Sequence, residues 1–249
     1  MLFISPPFGN YINLPFTTSI KGSYTLERRD GLLFQIFKTL RYSNYYGGWI
    51  NKIGLRNKGI DSVINNYHNK NVYSIAILNK SEIPTLVERI PHNMNIEINV
   101  SCPNAEKEMI QEGLSNFINK DRKYCIIKLS PTSDVKLIDS FYKQGFRQFH
   151  CSNTLPIKEG GLSGEKLIPY SSNLVNYIHK TYPDCMVIAG GGIQNYQSLL
   201  NYKNVGANHY SISTIFFNPY KFAKLYYNYI NNISYISTSN NRYAGKKNE

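Results

Sequence analysis

The chain has 249 residues, enough for one large domain with a sizeable core that needs neither disulfides nor metals. Hydrophobic residues make up 42% and charged residues 18%, a composition that excludes a disordered chain or a coiled coil. No apolar run is long enough to span a membrane, no secretory signal is recognisable, and the four cysteines are widely spaced. We therefore predict a cytoplasmic protein with no disulfide framework, metal site or iron–sulfur cluster.

The net charge is +12, from 28 Lys and Arg against 16 Asp and Glu. Such a charge can indicate binding to nucleic acid or to another polyanion. It can also be a compositional bias, because Asn, Lys, Ile and Tyr are all frequent in this chain. Basic residues are scattered along the sequence, and they form no cluster larger than short groups such as Lys246–Lys247. We favour the compositional interpretation.

After one or two strands before residue 30, short β-branched or aromatic runs alternate with segments of helical periodicity. The predicted strands are Val72–Leu78, Ile96–Val100, Tyr124–Leu129, Phe146–Cys151, Cys185–Ala189 and His209–Ile212. The predicted helices are Ser81–Ile90, Ala105–Asn119, Ser133–Gln144, Ser171–Thr181, Gln194–Tyr202 and Tyr220–Asn231. Strands that alternate with helices of this length indicate βαβ units and a parallel sheet.

Seven or eight such strands predict a (β/α)8 barrel, with a doubly wound open sheet as the alternative. Polar or Gly-rich residues follow most of the strands directly, as in Ser130-Pro131 and Ser213-Thr214. A barrel builds its site from several such loops, whereas an open sheet concentrates its site at one switch point. We therefore predict a single TIM-barrel domain over residues 1–236, followed by a polar, disordered tail over 237–249.

Ile96–Asn104 is a strand that runs into Ser-Cys-Pro-Asn and then into a helix. Cys102 stands where a thiolate is favoured and where substrate can reach it. Asn99 and Asn104 flank it and offer amide donors and acceptors to a planar polar ligand. A buried structural cysteine explains the motif equally well.

Gly190–Gly192 end a strand, and the next strand ends in Ser213-Thr214. Backbone N–H groups at such turns bind phosphate, and paired loops of this kind follow strands seven and eight of many barrels. Gly160–Gly164 lie in a longer loop, 155–169, which suggests close approach to a bound group or a flexible lid, and an ordinary flexible connector explains it equally well.

Lys128 stands inside an apolar strand, one residue before its end. A buried ammonium group needs an anionic partner, so a Lys128 that points into the barrel mouth must have one. The alternative is an outward-facing lysine whose stem lies along apolar surface.

Together these motifs resemble the FMN-dependent dihydroorotate dehydrogenases, in the family's order and over roughly residues 22–225. The matching stretches are Asn51–Asn57, Glu97–Asn104, Ile127–Pro131, Asn153–Leu155, Gly160–Gly164 with Leu167–Pro169, Gly191–Ile193, and Gly206-Ala207 through Ser213-Thr214. The combination of Ser-Cys-Pro-Asn with Gly-Gly-Leu-Ser-Gly at this separation is the specific part of the resemblance.

The resemblance implies oxidation of dihydroorotate to orotate in pyrimidine biosynthesis, with Cys102 as the base and hydride transfer to flavin N5. It implies substrate contacts from Asn51, Asn99, Asn104, Asn153 and Thr154. It implies FMN contacts from Lys21, Ser23, Asn99, Lys128, Gly164, Gly191, Gly192, Ser213 and Thr214. It also implies a soluble class that uses fumarate, or NAD through an electron-transfer partner subunit, and a homodimer, without nucleic acid or membrane as partners.

The N-terminal part departs from the family. Residues 5–11 lead almost directly to the second strand, so we expect an abbreviated first β/α unit, and Lys21 is displaced by one residue from the family's Lys-Ser-x-Thr spacing. Two other functions remain open at this point. One is a tRNA dihydrouridine synthase-like FMN reductase, and the other is a degenerate FMN barrel without turnover.

Overall fold

The computed structural model describes residues 1–100 and 112–233. These residues form twelve strands. They are β1 (Leu2–Ile4), β2 (Thr17–Tyr24), β3 (Arg41–Ser43), β4 (Gly48–Asn51), β5 (Val72–Ala76), β6 (Ile96–Asn99), β7 (Cys125–Leu129), β8 (Gln148–Cys151), β9 (Leu155–Ile157), β10 (Gly160–Gly164), β11 (Met186–Gly190) and β12 (His209–Ile212). Seven α-helices accompany them. They are α1 (Leu32–Thr39), α2 (Asp61–Ile64), α3 (Glu82–Arg89), α4 (Val135–Lys143), α5 (Ile168–Thr181), α6 (Tyr196–Asn204) and α7 (Pro219–Asn231).

Eight of the strands close into a parallel barrel in the order β1-β2-β5-β6-β7-β8-β11-β12, and β12 pairs with β1. The six predicted strands after residue 70 are all barrel strands, so the predicted TIM barrel is confirmed and the open sheet is wrong. Alternate residues of each strand point to opposite faces. The inward-facing Phe3, Ile20, Val72, Ile126 and Ile188 pack into one fully buried layer inside the barrel.

Helices α3–α7 bury apolar residues against the barrel, whereas α1 and α2 have no buried residue. Their bounds differ from the predicted ones by a few residues, as expected for helix ends. Asp134 caps α4 by accepting from Lys136 N, and Asn218 caps α7 by accepting from Lys221 N. Of the predicted helix over 105–119, residues 105–111 lie outside the described residues. The remaining part, 112–119, contains a 3₁₀ turn at Leu114–Phe117 and no α-helix. No helix in the described ranges is long and apolar enough to cross a bilayer.

The first β/α unit is abbreviated, as predicted. Residues 5–16 connect β1 to β2, and they contain a single 3₁₀ turn, Phe8–Asn10, where a barrel normally has a helix. Despite this, β1 and β2 are parallel neighbours with Leu2 opposite Thr17 and Ile4 opposite Ser19. The short connection therefore closes the barrel without its own helix.

A second, antiparallel sheet of order β3-β4-β10-β9 covers part of the barrel mouth. Tyr42 and Trp49 form a cross-strand aromatic pair in it, and Trp49 also stacks on Phe217 of the barrel at a ring distance of 4.1 Å. The prediction that 160–164 form a loop or lid is wrong, because these residues are strand β10, paired with β4. At Gly160, where φ is +134°, an added Cβ would lie 2.4 Å from the Asn51 carbonyl oxygen, so this glycine permits the pairing.

Candidate active site

One cavity of about 1670 Å³ opens where the barrel strands end and the antiparallel sheet begins. It exceeds the roughly 300–1,000 Å³ that a single small ligand usually occupies, so it has room for a cofactor and a substrate together. Nine of the predicted site residues line it: Lys21, Ser23, Asn51, Asn99, Lys128, Asn153, Thr154, Ser213 and Thr214. The sequence-based prediction of these residues as one site is consistent with where the structure places them.

The cavity wall is strongly basic. Among the described residues that line it, Asp134 is the one acid, against seven bases: Lys21, Arg29, Lys52, Arg56, Lys58, Lys128 and Lys136. The basic residues that are scattered in the sequence therefore gather around one opening. A basic concave wall attracts anionic ligands and raises their local concentration. Part of the net charge of +12 thus belongs to the site, and the purely compositional interpretation is incomplete.

Lys128 points into the cavity and has the anionic partner that its burial requires. It is 8% exposed, and its Nζ lies 3.3 Å from Oε1 of Glu97, an inward-facing residue of β6. The other carboxylate oxygen, Oε2, lies 2.5 Å from Nδ1 of His150 on β8. Glu97 and His150 are both completely buried. The three side chains come from neighbouring strands, since Asn99 is in register with Lys128 and Lys128 with His150.

The carboxyl group of Glu97 is ionised. Burial would raise its pKa, but the ammonium group of Lys128 and the imidazole of His150 favour the anion more strongly, and the Ser74 hydroxyl donates a hydrogen bond to it. The net result is a pKa of about 2. Lys128 is therefore held at the cavity floor by a permanent negative charge.

Hydroxyl and amide side chains form a connected row beside Lys128. The hydroxyl groups of Ser23 and Ser74 are 2.9 Å apart, and Asn99 Nδ2 donates to Ser23 Oγ at 3.3 Å. Asn153 Nδ2 in turn donates to Asn99 Oδ1 at 3.3 Å. Because these amides are fixed by one another, they present donors and acceptors in set directions to a planar polar ligand.

Lys21 also lines the cavity, and the structure explains its displaced position in the sequence. The pairing of β2 with β5 shifts register between Gly22 and Tyr24, so β2 has an extra residue, Ser23, two positions after Lys21. Asn10 fixes this bulge: its Oδ1 accepts from Gly22 N at 2.8 Å, and its Nδ2 donates to Gly22 O at 3.4 Å. The short first connection thus supplies the residue that secures the irregular strand.

Comparison with known proteins assigns the family. The sequence profile described as dihydroorotate dehydrogenase matches residues 8–233, which is most of the chain. This chain belongs to the dihydroorotate dehydrogenase family. It is accordingly an oxidoreductase that acts on a CH–CH bond, of the class-1 type to which its curated relatives belong.

Two curated relatives carry the name dihydroorotate dehydrogenase B (NAD(+)), catalytic subunit. The one from Petrotoga mobilis is 29% identical over 231 residues, covering 78% of this chain and 75% of the relative. The one from Malacoplasma penetrans is 29% identical over 228 residues, covering 73% and 71%. The fold resembles the crystal structure of DHODH from Eimeria tenella in complex with ferulenol, with a TM-score of 0.71, 16% identity, and coverage of 95% of this chain and 83% of that one.

The glycines assigned to the cofactor by the dihydroorotate dehydrogenase motifs do not line the cavity. An added Cβ on Gly191 would lie 2.9 Å from Leu167 Cβ, and one on Gly192 would lie 2.9 Å from the carbonyl oxygen of Gly164. These glycines therefore permit close packing of the turn after β11 against residues 164–168. Ser213 and Thr214 do line the cavity, and Ser213 Oγ donates to the Pro6 carbonyl at 2.9 Å. Phosphate binding by Gly191, Gly192, Ser213 and Thr214 stays a prediction.

Cys102 and Asn104, the predicted base and one of the predicted substrate ligands, lie outside the described residues. The three cysteines inside them, Cys125, Cys151 and Cys185, are free thiols. Burial raises the pKa of Cys125 to about 11 and that of Cys185 to about 12, and it raises the pKa of Cys151 as well. All three are protonated at neutral pH, so none of them is a base.

Sequence reasoning missed Glu97, His150, Asn10 and Trp49 as parts of the site. The signal for two of them is present in the sequence. Glu97 and His150 are titratable residues inside apolar strands, at positions whose side chains alternate with buried hydrophobic ones. Lys128 needs an anionic partner if it faces the cavity, and Glu97 is an acid in the preceding strand, so the sequence was sufficient to predict the Lys128–Glu97 ion pair.

Proposed function

We propose that this protein oxidises dihydroorotate to orotate with FMN as its cofactor, as part of pyrimidine biosynthesis. The observation that carries the proposal is a large basic cavity at the barrel mouth, whose floor is a lysine fixed by a buried carboxylate beside a row of amides. Both FMN and dihydroorotate are anionic, so the seven bases of the wall suit them. Family membership supports the same reaction.

The residues present fit FMN. The Lys128 ammonium group would lie at the flavin edge that becomes negative on reduction, where a fixed positive charge is stabilising. Lys21 and Ser23 would contact the same ring, and Ser213 and Thr214, with Gly164, Gly191 and Gly192 nearby, would hold the phosphate. Bound FMN supplies the acceptor for the hydride that leaves C6 of the substrate.

We assign the substrate to the amide side of the cavity. Asn51, Asn99 and Asn153, with Thr154, would bind the ring and carboxylate of dihydroorotate, and Asn104 would join them. Amides suit a ring whose edge alternates N–H and C=O groups, because each amide offers one donor group and one acceptor. Cys102 would accept the proton from C5 as a thiolate, which a free thiol with a pKa near 8.5 forms only in part at neutral pH.

The colour of the protein tests the proposal. We expect the purified protein to be yellow, or to become yellow with added FMN, and anaerobic dihydroorotate to bleach its flavin absorption band. A spectrophotometric titration measures both. A protein that stays colourless with excess FMN would be a degenerate barrel instead, and a yellow protein that dihydroorotate leaves unbleached would have another substrate.

Replacing Cys102 by alanine separates base catalysis from cofactor binding. We expect the variant to keep its flavin spectrum and to be bleached about 10²-fold more slowly, the lower end of what a general base contributes. Stopped-flow absorbance of the anaerobic reaction measures the rate. Cys185→Ala is the matched control, because that thiol is buried away from the cavity. Equal rates for the two variants would remove Cys102 from the role of base.

We further propose that the electrons leave through a second protein subunit to NAD. The name catalytic subunit of the two curated relatives supports this route. So does the exposed apolar face of α1 beside the cavity, where Leu33, Phe34 and Phe37 are 70%, 65% and 87% exposed. Among the described residues no group of His, Cys, Asp and Glu could hold a metal. We expect NAD alone to leave the reduced protein unoxidised, whereas rapid reoxidation by fumarate would favour the other soluble class.

A further inference from the structure

The proposed function leaves one buried titratable residue without a role. His150 is completely buried inside the barrel, on the strand that follows Lys128 around the sheet. It does not line the cavity, so it cannot touch a ligand there. Its ring nitrogen Nδ1 lies 2.5 Å from Glu97 Oε2, and its other nitrogen, Nε2, has no hydrogen-bond partner among the described residues.

The protonation of this pair follows from its surroundings. Glu97 is an anion and can only accept, so Nδ1 of His150 must carry the hydrogen. Burial lowers the pKa of His150, and Glu97 opposes that effect while Lys128 adds to it. We conclude that the imidazole is neutral and that its Nε2 carries a lone pair. The charged groups that act on His150 are Glu97 from β6 and Lys128 from β7, while its β11 neighbour in register is Ile188.

This arrangement divides the two oxygens of one carboxylate between two partners. Oε2 is engaged by His150 and Oε1 by Lys128, at 3.3 Å from Nζ. The apolar layer that contains Ile126 and Ile188 lies farther inside the barrel. The carboxylate of Glu97 is therefore held from one side by a neutral donor, and it presents a single oxygen towards the cavity floor.

We propose that His150 is a positioning residue for Lys128, which it fixes through Glu97 so that the ammonium group stays directed into the cavity. The proposal rests on the proposed function, in which Lys128 stabilises the reduced cofactor. Without the Nδ1–H donor, Oε2 of Glu97 is released and can turn towards Lys128. The ammonium group would then be drawn down to the carboxylate, and its positive charge would act less on the bound ring.

Two substitutions at this site separate positioning from packing. In His150→Asn the side-chain NH₂ can occupy the place of the Nδ1–H donor, whereas His150→Leu has a similar volume and no donor. We expect the leucine variant to lower the midpoint potential of the bound flavin and to slow anaerobic bleaching by about tenfold, the scale of a lost hydrogen bond to a charged group. We expect the asparagine variant to stay within about twofold of the unaltered protein.

His209→Leu is the matched control. His209 is also a barrel histidine with a pKa lowered by burial, to about 3, but it lies at the other end of the barrel, where it contacts the N-terminal amine at 3.0 Å. Its replacement should leave the flavin potential unchanged. If His150→Leu yields no folded protein, His150→Gln serves instead, because its amide reaches the Nε2 position and not the Nδ1 position.

A second measurement does not depend on the cofactor. In flavin-free protein labelled with ¹⁵N-histidine at pH 7, His150 should show a neutral ring with its proton on Nδ1. An imidazole that carries its proton on Nε2 and none on Nδ1 would overturn the proposal even if the protein bound no flavin. Where the unaltered protein is yellow and is bleached by dihydroorotate, equal potentials in the leucine and asparagine variants would also overturn it, while the proposed function would stand.

Discussion

Replacing Lys128 by methionine is expected to slow the bleaching of bound flavin by dihydroorotate about 10³-fold, the upper end of the loss seen when one preorganised electrostatic group is removed. Methionine keeps much of the length and apolar volume of the lysine stem, so the change removes the charge and little packing. Lys128 is the cavity base held against a completely buried carboxylate, and its position is therefore fixed before any ligand binds. Preorganised charge of this kind costs no rearrangement during the reaction.

Stopped-flow absorbance measures this rate, and the midpoint potential of the flavin should fall in parallel. Lys143→Met is the control, because Lys143 is exposed at the end of α4, away from the cavity mouth. Lys128→Arg should recover part of the rate, since it keeps the charge but not the shape of the group. A Lys128→Met protein that retained both rate and potential would show that the flavin edge lies elsewhere in the cavity.

The barrel could be predicted from the sequence because each barrel strand after residue 70 is a short apolar run between helical segments. Val72–Ala76 and Ile96–Asn99 are buried along their whole length, which is the pattern of strands covered on both faces. The antiparallel sheet at the mouth could not be predicted in the same way. Its strands are three to five residues long, and β10 contains three glycines, so no periodicity distinguishes them from a loop.

The sequence predicts which types of residue form the site better than it predicts which side chains contact one another. Lys128 was predicted to need an anionic partner if it faced the mouth, and Glu97 confirms that prediction. The histidine behind Glu97 was missed because pairing across neighbouring strands depends on register, which a single sequence leaves open. In the sequence, the bulge after Lys21 shows only as a one-residue difference from the family's Lys-Ser-x-Thr spacing. Its structural cause is the register shift between β2 and β5, which the sequence does not show.

The Glu97→Gln variant is expected to lose about 3–5 kcal/mol of the free energy of unfolding at pH 7, the usual cost of removing one partner of a buried ion pair. Glutamine has the same shape but a single acceptor oxygen, so it cannot serve both Lys128 and His150 as the carboxylate does. His150 can move its proton to Nε2, but the ammonium group of Lys128 keeps no counter-charge inside the barrel. Urea denaturation measures the loss, and Glu88→Gln, on the exposed side of α3, should change stability by less than about 0.5 kcal/mol.

The stability difference between the unaltered protein and Glu97→Gln should depend on pH. The pKa of Glu97 is about 2 in the folded protein against an ordinary 4.5, so the folded state favours the ionised carboxyl group by roughly 3 kcal/mol. A carboxyl group whose pKa is lowered by folding contributes its full stabilisation when the pH is above its pKa in the unfolded chain. That stabilisation is lost as the pH falls through its pKa in the folded protein. The difference between the unaltered protein and Glu97→Gln should therefore be constant from pH 7 to pH 5 and shrink between about pH 4.5 and pH 2. A difference that stayed constant down to pH 3 would mean that the carboxylate owes its effect to packing and hydrogen bonding, and not to its charge.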